Sequence, residues 1–208
     1  MSTHPFDESY TEYLKARDGR SGLRRRVRGL YLAHQARQVE GPSIDFGCGL
    51  GPLLARLPLG SLGLDINASS IEHCRALGLP AEVYDPESDR YELRAFAPGR
   101  FRSLIAAHVF EHLEEPTIAL RRLLQSARRL ELNRVVIVVP GERGFRVDRT
   151  HRTFLTEVEL GAPAVWEGTG FRVRGSHRFP FDWPAIDRWF TYQELHVVFE
   201  RSAPRGDG

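Results

Sequence analysis

The chain has 208 residues, 41 % of them hydrophobic, and a formal net charge of +2. This is enough for one well-packed α/β domain, and it excludes a disordered chain and a polyelectrolyte that binds nucleic acid through bulk charge alone. Cys48 and Cys74 are the two cysteines, too few for a disulfide framework or a zinc pattern, and no run reaches the roughly 18 apolar residues of a membrane span; a cytoplasmic protein without a secretory leader is expected.

Charge is concentrated near the start. Residues 15–37 hold eight basic residues against Asp18, so this segment carries +7 and the remainder −5. Leu23, Val27, Leu30 and Tyr31 recur among the arginines at helical spacing, as an amphipathic helix requires. Residues 1–40 are therefore expected to form an N-terminal helical cap on a main domain of residues 41–203. The arginines at 24–28 are either its solvated face or a seat for an anionic partner.

The main domain alternates. Residues 43–46 (SIDF) predict a short buried strand, 50–57 a helix, 61–66 a second strand, and 68–77 a second helix stopped by Gly78 and Pro80. Strands follow at 81–84 and 102–107, then a strong helix at 117–130 and an all-β-branched strand at 135–139. Strand and helix in turn predict a parallel sheet covered on both faces. Residues 171–178 and 195–201 read as two further strands without a helical spacer, an antiparallel pair at one edge.

The first strand runs into Gly47-Cys48-Gly49-Leu50-Gly51. Glycine at the carboxyl end of a parallel strand lets backbone approach a ligand closely, and a helix start behind it would offer free N–H groups. The spacing is G-x-G-x-G, whereas a pyrophosphate cradle reads G-x-G-x-x-G, and Asp45 would repel an anion while suiting a cationic group. Asp65 ends the second strand about twenty residues on, where a carboxylate can take both hydroxyls of a ribose. Asp65, Asn67 and Ser69 equally suit the start of the next helix.

Residues 45–51 (DFGCGLG), 63–67 (GLDIN) and 107–113 (AHVFEHL) together resemble the class I S-adenosylmethionine-dependent methyltransferases, in particular the bacterial small-molecule and quinone-type group. The resemblance implies a doubly wound, Rossmann-like α/β fold. Its seven-stranded sheet would run 3-2-1-4-5-7-6, with strand 7 antiparallel. It implies S-adenosylmethionine as cofactor and no metal. It places the methionine part against the backbone at Gly47 and Gly49, with Cys48 and Gly51 in the same cofactor-binding loop, its amino group near Asp45, the ribose on Asp65 and the adenine under Ile66. An acid after strand three commonly meets the adenine amino group, and Asp85 is expected in that role, with Asp89 as an alternative. His108 would line the cofactor or the transferring methyl, while Glu111 and His112 set the loop.

A transferable methyl group brings its own leaving group, so the protein mainly aligns the reactants, and a general base helps where the acceptor is an alcohol. His151, with Asp148 three residues earlier to orient it, is expected as that base or as a packed structural residue; His108 is a second catalytic candidate. Arg143, Arg146, Arg149 and Arg152 make the loop cationic, which favours an anionic acceptor. The aromatic run at residues 178–190 would wall an acceptor pocket, meet a second subunit or join the core. The expected activity is methyl transfer to an O or N nucleophile of a small-molecule acceptor, anionic or linked to a lipid or glycan, by a monomer or homodimer. Nucleic acid is not the expected partner, because residues 108–110 stand where a base-methylating enzyme often carries Asn-Pro-Pro-aromatic. A non-catalytic binding protein on the same fold and an RNA methyltransferase are the alternatives; an NAD-dependent oxidoreductase would need the other glycine spacing.

Overall fold

The computed structural model describes residues 22–202. Residues 1–21 of the expected cap, the side chains of Leu23 and Arg24, and residues 203–208 lie outside this described part. Helix α1 is Gly22–Ala36. The strands are β1 (Ser43–Phe46), β2 (Leu62–Asp65), β3 (Ala81–Val83), β4 (Ser103–Ala107), β5 (Arg134–Pro140), β6 (Phe171–Phe179) and β7 (Glu194–Arg201). They form one sheet in the order β3-β2-β1-β4-β5-β7-β6. Pairing is parallel from β3 through β5, and β7 runs antiparallel to both β5 and β6. This is the expected architecture.

The central strands are apolar on both faces because both are covered. Leu104 and Ala106 of β4 and Val135, Ile137 and Val139 of β5 face α3 (Pro116–Arg129), whose Leu120, Leu123, Leu124 and Ala127 are fully buried against them. Ile105, Val136 and Val138 face the other way, onto Val39, Leu53 and the inner side of α1 at Leu32 and Ala36. Helix α2 (Ala68–Ala76) buries Ile71 and Cys74 against Cys48, Leu54 and Ala81.

Two local expectations are corrected. The stretch expected as a helix at 50–57 makes only a 3₁₀ turn, Leu54–Arg56. Pro52 and Pro58 bracket it, and Pro58 holds Leu57 extended at φ −75, ψ 158, which stops helix propagation. The apolar phase of α1 also differs. Val27 and Leu30 are exposed, and the side that meets the protein carries Leu32, Gln35, Ala36 and, just beyond the helix, Val39. Beyond these, residues 140–170 contain three short helices, α4 (Glu142–Val147), α5 (Glu157–Gly161) and α6 (Pro163–Trp166). Each is too short to show a period in sequence; α5 is started by a capping box between Thr156 and Glu159.

Topology decides where a ligand can sit. Strands β1, β2, β4 and β5 all end at one edge, and β7 begins there, with Glu194 opposite Pro140. The glycine loop, Asp65, His108, α4 and the β6–β7 connection therefore share that edge.

Candidate cofactor site

The glycine loop is folded back on β2. The N–H groups of Gly47 and Cys48 both donate to the Leu64 carbonyl, at 2.7 and 3.0 Å. Gly47 and Gly49 have φ of +79° and +52°, a region that side chains disfavour. Their surroundings differ. A Cβ on Gly47 would lie 2.3 Å from Val109 Cγ2, whereas one on Gly49 would meet nothing within 4 Å. The loop is thus pressed against the segment after β4 at Gly47 and open at Gly49. A Cβ on Gly51 would meet Leu79 and Cys74, so this residue admits the end of α2 and not a helix of its own. The Cys48 side chain is buried with Leu54, Ile71 and Cys74, which leaves backbone as its contribution at the loop.

Asp65 anchors this loop. Gly49 N–H donates to its Oδ2 at 2.8 Å and Asn67 N–H to its Oδ1 at 2.9 Å. The cap of α2 is Asn67, whose side chain accepts from the N–H groups of Ser69 and Ser70, so capping does not account for Asp65. Each carboxylate oxygen keeps a second lone pair. Asp45 is 2 % exposed. Its Oδ2 has no partner among the described residues, while an amide hydrogen bond from Leu54 reaches the carboxyl group. Burial, reinforced by the charge of Asp65, pushes its pKa up to about 7. A buried acid with an unmet acceptor beside an open glycine backbone is what a cationic amino group requires.

Ile66 is half-buried beside Asp65. Asp85 is exposed, and its Oδ1 accepts from the N–H groups of Glu87 and Ser88 in a tight turn. Asp89 instead accepts from Tyr84 Oη and Arg94 N–H. Both acids after β3 are engaged in shaping their own loop.

His108 follows β4 with φ +59°. Its Nδ1–H donates to Glu111 Oε1 at 3.1 Å and its Nε2–H to Glu194 Oε1 at 2.9 Å. Burial opposes charge on the ring, but the two carboxylates outweigh it and push the pKa up to about 10. Glu194 is held down to about 2, burial being overcome by hydrogen bonds from His108 and His196. At neutral pH His108 is an imidazolium. It cannot accept a proton there, which removes it as a general base.

His151 is oriented differently from expectation. Asp148 accepts from Thr150 N–H and Oγ1–H and does not reach the imidazole. The His151 ring instead donates from Nδ1 to the Phe145 carbonyl at 2.9 Å and stacks on the Phe145 ring. That tautomer leaves Nε2 as an acceptor, 3.9 Å from Glu111 Oε1. The loop is tied over the segment after β4 by the N–H groups of Arg152 and Thr153, both donating to the Glu111 carbonyl. Its positive charge is partly neutralised, since Arg146 pairs with Glu142 and Arg152 with Glu114.

The β6–β7 connection supplies residues whose placement the sequence left open. Phe181, Trp183, Trp189 and Tyr192 are 52, 62, 80 and 60 % exposed, so they do not join the core. A concavity of about 500 Å³ lies between α5, α6 and β6, at the far edge of the sheet from the glycine loop.

Because His108 is charged below its raised pKa, the stabilisation from its clamp is complete below the ordinary value of 6.5 and is lost as pH rises through about 10. His108→Gln is expected to lower stability by about 1–3 kcal/mol near pH 6, a figure reduced because the ring is 42 % exposed. The gap to the parent should close toward pH 10. Urea denaturation of both across this range is the test, and a gap independent of pH would show a neutral ring.

Residues 44–129 match the family model described as a methyltransferase domain. No protein of curated function matches the chain. Among solved structures, an S-adenosylmethionine-dependent methyltransferase from Archaeoglobus fulgidus is 20 % identical with a TM-score of 0.60, over 92 % of this chain and 94 % of that one. Magnesium protoporphyrin IX methyltransferase from Synechocystis with bound S-adenosylhomocysteine is 15 % identical with a TM-score of 0.61, over 95 and 96 %. The [4+2]-cyclase SpnF is 14 % identical with a TM-score of 0.55, over 84 and 79 %. The matched domain spans β1 to α3, the part of the chain that carries the glycine loop, Asp65 and His108. Residues 44–129 thus match a methyltransferase domain, and the chain shares its fold with solved S-adenosylmethionine-dependent methyltransferases.

Proposed function

We propose that the protein transfers a methyl group from S-adenosylmethionine to an O or N nucleophile of a small-molecule acceptor that carries an apolar or aromatic part. The observation that carries this reading is the group of exposed aromatic side chains, Phe181, Trp183, Trp189 and Tyr192, on the connection that starts β7 at the ligand edge. Such side chains recognise an apolar partner through large, rigid contact area.

Bound to this chain, the cofactor would supply an electrophilic methyl on a sulfonium leaving group. Asp45 Oδ2 would receive the amino group, the open backbone at Gly49 would face the methionine part, and Asp65 would take the ribose hydroxyls beside its two amide contacts. Ile66 is the candidate cover for the adenine; Asp85 or Asp89 could reach it only by giving up a turn contact. His108 would present a fixed positive edge and act through position, held by Glu111 and Glu194. His151 Nε2 is the remaining candidate to take the acceptor's proton. Helix α1 would bound the site from the N-terminal side. An anionic group on the acceptor has Arg143 and Arg149 available, the first donating to Thr191 Oγ1 and the second exposed. A cytoplasmic setting accords with two free, buried cysteines, and no helix among the described residues is long and apolar enough to cross a membrane. A monomer or homodimer accords with the same reading.

Three outcomes are expected. Binding of S-adenosylhomocysteine should drive ionisation of Asp45, releasing about half a proton per chain near pH 7. Calorimetry in buffers of different ionisation enthalpy would read this, and Asp45→Asn should abolish the release. Asp65→Asn should weaken cofactor binding nearly as much as Asp65→Ala, by about 2–4 kcal/mol. The amide NH₂ would face one of the two backbone N–H groups that Asp65 now accepts, and full affinity in the Asn variant would exclude the ribose role. Lastly, a screen of metabolite fractions with methyl-labelled cofactor should yield a labelled small molecule. Trp183→Ala with Trp189→Ala should raise the acceptor KM at least about tenfold while leaving cofactor Kd unchanged. Label appearing only in RNA, or in nothing, would favour the RNA-modifying or non-catalytic alternative.

A further inference from the structure

A second cluster of chemistry lies outside the cofactor site, where α1 meets the β6–β7 hairpin. His177 and His196 stand directly opposite each other in the ladder, with their rings stacked at 4.8 Å. His34 reaches them from α1, its Nε2 2.9 Å from His177 Nε2. Phe179 supports the His34 ring face to face at 4.1 Å. One nitrogen from each of the three histidines falls within 4.8 Å of the others. We propose that His34, His177 and His196 bind a divalent transition-metal ion of the zinc class, clasping the N-terminal helix to the hairpin.

Several observations support a ligand set over chance packing. Two imidazole nitrogens on one tetrahedral zinc lie about 3.3 Å apart, given Zn–N distances near 2.0–2.1 Å. The His34–His177 spacing needs to open by only a few tenths of an ångström. Ligating imidazoles must be neutral, and burial together with the neighbouring His196 and His177 holds His34 down to about 4; burial likewise lowers His177. A ligating histidine also needs a partner for its second nitrogen. His196 has one at either end. Its Nε2–H donates to Glu194 Oε2 at 3.2 Å, and its Nδ1 accepts from Gln38 Nε2 at 2.7 Å. Gln38 Oε1 is buried with no partner among the described residues, so rotating that amide would let it receive an N–H and free Nε2 for the ion. Glu194 adds negative charge beside the cluster. The other cluster of this kind, Glu111, His112 and His151, is committed elsewhere. Glu111 Oε1 accepts from His108, and the Nδ1 atoms of His112 and His151 are paired with the Thr150 and Phe145 carbonyls.

The test uses the full 208-residue chain, stripped with chelator and free of any histidine tag. Titration with cobalt(II) chloride should show one ion per chain, with the intense visible bands of a low-coordinate nitrogen site, and zinc chloride should displace it. Zinc should raise the melting temperature of the parent. His34→Ala and His177→Asn should each weaken metal binding about tenfold or more and remove that rise, while His112→Ala keeps both. His177→Asn, on the half-buried hairpin, retains a polar side chain and carries the test where the helix variant folds poorly. Absence of stoichiometric binding, binding that survives His177→Asn, or binding lost in His112→Ala would overturn the proposal.

Discussion

Glu194 is a buried carboxylate that three separate parts of the molecule need. One oxygen accepts from His108 at the end of β4, and the other from Gln35 of α1 and His196 of β7. The parallel half of the sheet, the antiparallel hairpin and the N-terminal helix therefore meet on a single charge. A buried carboxylate is tolerated only when its lone pairs are met and an opposite charge lies beside it. The arrangement is reciprocal, because the same contacts that hold Glu194 ionised keep His108 protonated. Without His108, Glu194 keeps its Gln35 and His196 contacts but loses the adjacent cation; without Glu194, His108 keeps Glu111.

This constraint reaches the ligand edge. His108 sits at positive φ, a conformation that persists only where the surroundings over-determine it. The clamp to Glu111 and Glu194 does so. The next residue, Val109, then occupies the space that a side chain at Gly47 would need. The glycine loop is thereby held from the β4 side and tied on its other side by Asp65. Asp65 lies close enough to Asp45 to add to the cost that burial places on ionising it. That cost is borne by the protein without its cofactor, and an approaching cation would relieve it.

Similarity at the level of the sheet says little about the reaction. A methyltransferase and a [4+2]-cyclase both superpose on this chain over most of its length, so the acceptor must be read from the parts that cover the sheet edge. Here those parts are α4, the loop through His151 and the aromatic β6–β7 connection.

What the sequence determined by itself was whatever depends on local pattern. Alternating strands and helices, β-branched runs at β5 and glycines beside Asp45 are all written in neighbouring residues. They were enough for a covered parallel sheet with an antiparallel pair at one edge; the strand order 3-2-1-4-5-7-6 and the cofactor were implied by the resemblance that the motifs carry. Tertiary structure decided the rest, because partners far apart in the chain set it. Asp148 stands three residues from His151 and looks like its orienting acid, yet the Phe145 carbonyl does that work. His108 looks like a base until Glu111 and Glu194, the latter 86 positions away, raise its pKa to about 10. The apolar phase of α1 is set by the sheet beneath it: Leu32 and Ala36 meet the sheet while Val27 and Leu30 meet solvent. His34, His177 and His196 carry no spacing signal at all; only the fold of α1 onto the hairpin brings them together.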